Sequence, residues 1–179
     1  MIDLTSTPII ILAILGSVGV ALPVINIGLK EKGSVISYGI AALIALFASI
    51  GYVLYQLVLD HVAPAALFSQ DVLVDDAFGA LFAIAMLIVA IFTTVGSFNY
   101  MKNKDNPSIY FSLILLSAIG MVLVAYSTDL VMLFIAWELM SIPTYILVGF
   151  LKKDPISNEA AIKYFLFGAL SSAIIIYGI

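Results

Sequence analysis

The chain has 179 residues, of which 64% are hydrophobic and 10% charged, and its mean hydropathy is +1.22. Because a soluble domain is close to half apolar and a quarter charged, this composition excludes a water-soluble globular protein. The basic residues are lysines that form no patch, cysteine is absent and His61 is the single histidine. These facts exclude a nucleic-acid interface, a disulfide, an iron–sulfur cluster and an ordinary zinc site, so we expect the chain itself to bind no cofactor.

Six apolar segments are long enough to cross a membrane, because a hydrocarbon core about 30 Å thick needs about 20 residues of helix. They are predicted at Pro8–Leu29, Val35–Leu59, Phe78–Tyr100, Ser108–Tyr126, Asp129–Leu151 and Glu159 to the end of the chain. The predicted fold class is an all-α integral membrane helical bundle of about six transmembrane helices, forming a single transmembrane domain over residues 1–179. Since the chain stops at Ile179 inside an apolar run, we expect a truncated sixth helix and an N-terminal fragment of a longer protein.

Lysines mark alternate connections between the predicted helices, and these connections share one side of the membrane. The residues are Lys30, Lys32, Lys102, Lys104, Lys152 and Lys153. By the positive-inside bias this side is cytoplasmic, so the N-terminus with Asp3 is predicted to lie outside.

The longest connection, residues 60–76, is predicted to be an outer-face loop. Within it the segment Asp71–Asp75 has the pattern of either a short strand or an interfacial segment, and the sequence does not choose between them. His61 stands beside Asp60 and has a side chain suited to sensing external pH. A solvated loop histidine is the favoured interpretation.

Small residues recur at every fourth position in the first two predicted helices. They are Ala13, Ser17 and Ala21 in the first helix and Ala41, Ala45 and Ser49 in the second. Because such rows allow helices to approach closely in lipid, we expect both rows to be packing faces with no chemistry of their own.

Glu138 is the most informative residue, because it lies near the middle of the fifth predicted helix. A charge at that depth costs about 2.5–3.5 kcal/mol on insertion scales, and membrane proteins keep such groups mainly for function. Ser141 and Tyr145 follow at i+3 and i+7 on the same helix face, which predicts a polar stripe facing protein or water. Pro143 removes a backbone donor, which frees the carbonyl of Leu139 and predicts a kink. The alternative is a glutamate that only bonds a neighbouring helix.

Lys163 is the second candidate, about 6 Å inside the sixth helix if that helix begins near Glu159. On spacing alone, a lysine that only pairs with its own helix and a lysine with a function in transport are equally favoured. Glu159 at i−4 forms a favourable helix pair with it, and the long side chain can reach the membrane surface. The residues Tyr164, Gly168, Ser171 and Ser172, however, continue a small and polar face deeper into the membrane, and this favours a functional lysine.

Two stretches of the sequence together resemble a known family. The first is DLVMLFIAWELMSIPTYILVGF, residues 129–150, which resembles the fifth helix of the antiporter-like subunits of respiratory complex I. The second is EAAIKYFLFGALSSA, residues 159–173, which resembles the sixth helix in its N-type version. Relatives of this subunit type occur in the deazaflavin-dependent dehydrogenases of methanogens and, more distantly, in multisubunit sodium/proton antiporters. The resemblance covers about residues 108–179.

The resemblance implies that Glu138 and Lys163 lie on a proton path. Ser141, Pro143 and Tyr145, singled out above from the geometry of the fifth helix, are expected to be supporting residues. It implies a non-redox subunit of a proton-pumping oxidoreductase that reduces a quinone or phenazine with electrons from NADH or a deazaflavin. The expected partners are other membrane subunits, redox subunits of the same complex and the lipid bilayer, in the prokaryotic cytoplasmic membrane. Two alternatives stay open, namely a subunit of a multisubunit sodium/proton antiporter and a purely structural membrane subunit.

Overall fold

The computed structural model describes residues 6–28, 34–58, 65–66 and 72–179. Within this part of the chain it contains six long helices and one short antiparallel strand pair. The helices are α1 (Thr7–Gly28), α2 (Val35–Val58), α3 (Ala77–Met101), α4 (Pro107–Tyr126), α5 (Leu130–Val148) and α6 (Pro155–Gly178), and the strands are β1 (Ala65–Ala66) and β2 (Val74–Asp75). All six helices are long and apolar enough to cross a membrane, which confirms the predicted all-α integral membrane bundle.

The strand interpretation of the connection between α2 and α3 is confirmed for Val74 and Asp75, which pair with Ala66 and Ala65. The Asp75 carboxylate accepts a hydrogen bond from the backbone N–H of Thr7 at 2.7 Å and so ties this loop to the start of α1. Several residues singled out from the sequence lie outside the described residues, and they are Asp3, Lys30, Lys32, Asp60, His61 and Asp71.

Two of the predicted helix ends are wrong, and in both cases the cause is a local signal. α6 begins at Pro155, four residues before the predicted start, because the Asp154 side chain caps the helix by accepting from the N–H of Ile156 at 3.0 Å. Proline suits the first helical position, where no N–H is needed. α5 ends at Val148, three residues before the predicted end, and Gly149 occupies the C-cap position.

α4 forms the centre of the bundle and packs against α1, α2, α3 and α5. Its contacts use small residues and hydroxyl groups as well as apolar side chains. The Ser112 hydroxyl donates to the carbonyl oxygen of Gly19 in α1, and the Ser117 hydroxyl donates to the carbonyl oxygen of Met140 in α5 at 3.0 Å. α6 lies at the edge and packs against α5.

One of the two predicted small-residue faces is wrong. Ala13 and Ser17 in α1 are exposed, and α1 instead buries Ile11, Leu15 and Gly19. The reason is that α1 meets α4 through the face that contains Gly19, whose carbonyl oxygen accepts a hydrogen bond from the Ser112 hydroxyl. The face in α2 is confirmed, because Ala45 and Ser49 are buried.

Candidate functional site

Helix α5 carries a single charged side chain, Glu138. The helix begins after Asp129, whose carboxylate accepts hydrogen bonds from the N–H groups of Val131 and Met132 at 2.9 and 3.1 Å. Glu138 follows eight residues after Leu130 and ten before Val148, so it lies about 12 Å from one helix end and about 15 Å from the other. The carboxyl group therefore lies near the middle of the membrane-spanning helix, as predicted.

The Glu138 carboxylate points into the interface between α5 and α6. The Ser172 hydroxyl of α6 donates a hydrogen bond to Oε1 of Glu138. Glu138 is half-buried, and Ser172 is the one residue of α6 that is buried in the described chain. This contact gives the mid-membrane carboxylate a polar partner on the neighbouring helix.

Tyr145 continues the polar stripe of α5 and meets the same face of α6. Its ring lies edge-on to those of Tyr164 and Phe165, with centroids 4.9 and 5.7 Å apart. Its hydroxyl lies so close to Gly168 that a Cβ at that position would overlap it. Tyr164, Gly168 and Ser172 are four residues apart and form one face of α6. The predicted stripe of α5 is thus matched by a small and polar face on α6.

Ser141 and Pro143 are both buried in α5. The Ser141 hydroxyl donates to the carbonyl oxygen of Trp137 at 2.8 Å, and the Thr144 hydroxyl donates to that of Ser141 at 2.7 Å. The helix continues through Pro143 to Val148. The bend at Pro143 and the freed Leu139 carbonyl stay predictions.

A cavity of about 540 Å³ lies among α3, α4, α5 and α6, and among the described residues neither Glu138 nor Ser172 belongs to its lining. Its lining includes seven hydroxyl-bearing side chains, which are Thr93, Ser117, Ser141, Thr144, Tyr145, Tyr164 and Ser171. Trp137 and Ser171 also line it, and each is the sequence neighbour of one partner in the carboxylate contact. Along α6 the cavity therefore extends from Tyr164, next to Lys163, to Ser171, next to Ser172.

Lys163 lies elsewhere, on the outward side of α6. Its ammonium group forms an ion pair with Glu159 one turn earlier, and the two side chains are 65% and 66% exposed. Nine residues separate it from Ser172, which places it about 14 Å along the helix and half a turn around it. Because α6 begins at Pro155, Lys163 is about 12 Å inside the helix rather than the predicted 6 Å. The structure thus brings Glu138 together with Ser172, and Lys163 together with Glu159.

Two hydroxyl groups of the cavity come from helices that the sequence did not connect with the site. They are Thr93 of α3 and Ser117 of α4. The sequence shows hydroxyl residues within these otherwise apolar helices. Only the packing of the helices shows that Thr93 and Ser117 face this cavity. Among the described residues there is no group of three or more histidine, cysteine or acidic side chains that could hold a metal ion.

The comparisons with known proteins agree with the resemblance inferred from residues 129–173. Residues 127–179 match the family described as NADH:quinone oxidoreductase/Mrp antiporter, TM. The chain is 36% identical over 174 residues to the NADH-quinone oxidoreductase subunit N 1 of Solibacter usitatus, a match that covers 96% of this chain and 34% of the relative. It is 36% identical over 113 residues to the F(420)H(2) dehydrogenase subunit N of Methanosarcina mazei, covering 63% of this chain and 23% of that relative. The chain spans about a third or less of the length of these relatives.

Two solved structures share the fold of this chain. A chain of respiratory complex I from Thermus thermophilus with bound aureothin superposes with a TM-score of 0.73 at 27% identity, covering 94% of this chain and 35% of that one. A chain of the membrane-bound sulfane sulfur reductase, an archaeal respiratory membrane complex, superposes with a TM-score of 0.76 at 19% identity, covering 96% and 36%. The second likeness shows the shared fold alone.

Proposed function

We propose that this chain, which is an antiporter-like membrane subunit of the complex I type, carries part of a proton path on which Glu138 is the central titrating group. It would act as a non-redox subunit of an oxidoreductase complex in a prokaryotic cytoplasmic membrane. The redox centres and the quinone or phenazine site would then belong to partner subunits, together with the site for NADH or a deazaflavin. The observation that carries the proposal is the half-buried Glu138 carboxylate, which lies mid-helix and bonds the Ser172 hydroxyl.

The Glu138–Ser172 contact suits a group that gains and loses a proton. A serine hydroxyl has one donor hydrogen and two acceptor lone pairs, and the hydroxyl can rotate. It therefore donates to the carboxylate and accepts from the carboxylic acid, so both forms keep a partner. A positively charged partner would instead favour one form only.

The cavity lined by Trp137 and Ser171, the sequence neighbours of Glu138 and Ser172, would offer a route for the proton through water. The Ser117, Ser141, Thr144 and Ser171 hydroxyl hydrogens are directed at backbone carbonyl oxygens, which leaves the hydroxyl oxygens as acceptors. The rest of the lining is mainly apolar, so the waters of the proposed route would be held at these oxygens. At about 30 Å³ per water, a volume of about 540 Å³ accommodates several of them.

Lys163 would exchange protons at the end of this route, as the family resemblance implies. Tyr164 follows Lys163 in the sequence and lines the cavity, and its hydroxyl oxygen lies 3.4 Å from Oγ1 of Thr144. A proton would pass between the Lys163 level and Glu138 through waters, because about 14 Å of helix separates Lys163 from Ser172. Shifting the positive charge along this path would change the preference of Glu138 for its charged form, since an opposite charge nearby stabilises a carboxylate.

A second candidate function is favoured by the family description, which includes Mrp antiporters. In that case the same path would exchange protons for sodium without electron transfer. The two candidates differ in their partner subunits. Copurifying flavin and iron–sulfur subunits would favour the redox-driven pump, whereas a set of membrane subunits alone would favour the antiporter.

The proposal is tested by Glu138→Gln in the assembled complex. Proton pumping is expected to be abolished or sharply reduced, while substrate oxidation persists in uncoupled membranes. The matched control is Asp129→Asn, which also turns an acid into an amide but at the N-cap of α5, where asparagine is an equally good cap. Normal pumping stoichiometry in the Glu138→Gln variant, with normal assembly, would refute the proposal.

A further inference from the structure

A second cavity, of about 590 Å³, opens at the end of the bundle where the α3–α4 and α5–α6 connections meet. We call it the lysine-end cavity, because Lys104, Lys152 and Lys153 line it. Its lining also includes Ile109 and Ile146, which lie in the first turn of α4 and the last turn of α5. It lies apart from the Glu138 site and has no part in the proton path described above.

The α5–α6 connection that forms one wall is held in shape by its own hydrogen bonds. The N–H of Lys152 donates to the carbonyl oxygen of Phe150 at 3.1 Å, and the N–H of Asp154 donates to that of Leu151 at 2.9 Å. The side-chain amide of Asn158 donates to the carbonyl oxygen of Lys152 at 3.0 Å. The Phe150 ring packs edge-on against Tyr110 of α4, with centroids 5.1 Å apart. The wall is thus preformed, which lowers the cost of binding.

The charges around the lysine-end cavity favour an anion. Within the described part of the chain, Lys152 and Lys153 form no ion pair, and Lys104 lies 3.3 Å from the centre of the Tyr100 ring. Three lysines against two aspartates, Asp105 and Asp154, leave a net charge of +1 in the lining. The Asp154 carboxylate is directed at the N–H of Ile156, and Asp105 has a contact of its own.

The start of α4 adds a second attraction for an anion at the same place. Asn106 at its N-cap makes no side-chain capping bond, and Pro107 contributes no N–H group. The positive end of the helix dipole is therefore not neutralised by its own cap residue. Asn106 itself lines the cavity.

The membrane-facing part of the cavity is apolar. Ile109 is 42% exposed and Ile146 is 50% exposed, and both belong to membrane-spanning helices. A free inorganic anion would contact the lysines and leave this apolar part uncovered. An amphiphile with an anionic head and a hydrocarbon chain complements both parts.

We propose that the lysine-end cavity binds an anionic phospholipid, with its phosphate between Lys104, Lys152 and Lys153 and an acyl chain along Ile109 and Ile146. The phosphate would pair with the lysine ammonium groups and lie at the N-terminal end of α4, which has no side-chain cap. Basic pockets between transmembrane helices are a recognised setting for such headgroups. The lipid would join the α3–α4 connection to the α5–α6 connection and so brace the end of the helix pair that carries Glu138.

The test is lipid retention, measured by native mass spectrometry after reconstitution of the full chain in nanodiscs. Phosphatidylcholine discs with and without one fifth phosphatidylglycerol are compared. Phosphatidylglycerol is expected to be retained, and the Lys152→Gln/Lys153→Gln variant is expected to retain roughly tenfold less. The Lys152→Arg/Lys153→Arg variant should restore retention, and Lys102→Gln, which alters a lysine of the same end outside the cavity lining, should not change it.

Three results would overturn the proposal. One is equal retention of phosphatidylcholine and phosphatidylglycerol, which would remove the need for an anionic headgroup. Another is an equal loss in the Lys102→Gln variant, because the effect would then be general surface charge. The third is complete release of phosphatidylglycerol by millimolar inorganic phosphate, which would identify an anion site without lipid recognition.

Discussion

Helices α4 and α6 are both apolar membrane-spanning helices, yet they occupy opposite environments. Within this chain, α4 buries most of its length against its neighbours, whereas α6 buries only Ser172. Hydropathy alone does not decide which helix is central, because lipid is as apolar as a helix surface. The difference lies in close contacts. α4 brings Ser112, Ser117 and Gly120 to its neighbours, whereas Ser172 is the buried residue of α6.

Helix α5 stands between these two regions and shares features of both. Its Met140 backbone packs against Gly120 of α4, while Glu138 and Tyr145 face α6. The tightly packed side fixes the position of α5. The other side keeps the carboxylate, the hydroxyl groups and the cavity together. In this chain, the tightly packed side of α5 thus fixes the helix in the bundle, and its polar side contains the candidate functional residues.

The largest expected effect comes from Gly120→Ala at the tightly packed side. A Cβ there would lie 2.6 Å from the Cα and 2.8 Å from the Cβ of Met140, so the helices must separate. Overpacking typically costs about 1–3 kcal/mol, and we expect the upper part of this range because the obstacle is backbone. Equilibrium unfolding in detergent measures the loss. Gly96→Ala is the control, since nothing lies within 4 Å of its Cβ position and alanine favours helix. Equal stability of the two variants would remove the distinction between the regions.

A smaller effect is expected from Ser117→Ala, which removes the hydroxyl bond from α4 to the Met140 carbonyl. Hydrogen bonds between membrane helices average about 0.6 kcal/mol, so a loss of this size is predicted in the same unfolding measurement. Ser171→Ala serves as the control, because the Ser171 hydroxyl donates to the Phe167 carbonyl of its own helix. A larger loss in Ser171→Ala than in Ser117→Ala would contradict the ranking.

The smallest effect on stability is expected from Lys163→Gln on the outward side of α6. An exposed pair at i and i+4 contributes about 0.3–0.5 kcal/mol, and both side chains here are about two thirds exposed. Unfolding of this variant should therefore match the parent within about 0.5 kcal/mol, while proton pumping falls. Lys102→Gln, which removes a lysine outside the path, should keep both properties. Normal pumping in Lys163→Gln would remove the lysine from the proton path.

Much of the fold followed from the sequence because membrane-spanning helices are set by length and hydropathy. α1 to α4 begin and end within one residue of the predicted bounds wherever those bounds are described. The misplaced ends were at α5 and α6, where Gly149 and the pair Asp154 and Pro155 act locally. The small-residue row of α1 could not be assigned, because Ala13 and Gly19 are equally suited to close approach until the partner helix is known.

The candidate site followed from the sequence only in part. The central position of Glu138 in α5 could be predicted by counting residues, and the small polar face of α6 was visible as Tyr164, Gly168 and Ser172. The pairing of Glu138 with Ser172 could not be predicted, because it depends on the register of α6 against α5. The same register leaves Lys163 on the exposed face of α6, where it pairs with Glu159 one turn earlier. Its place on the proton path stays a prediction.

The central claim is that Glu138 changes its protonation state in the interface between α5 and α6. Infrared difference spectroscopy of the assembled complex during turnover observes this directly through the C=O stretch of a carboxylic acid. We predict a carboxylic acid band that disappears in Glu138→Gln, shifts in Ser172→Ala and is unchanged in Asp129→Asn. Difference spectra of Glu138→Gln that keep every carboxylic acid band of the parent protein would contradict the claim.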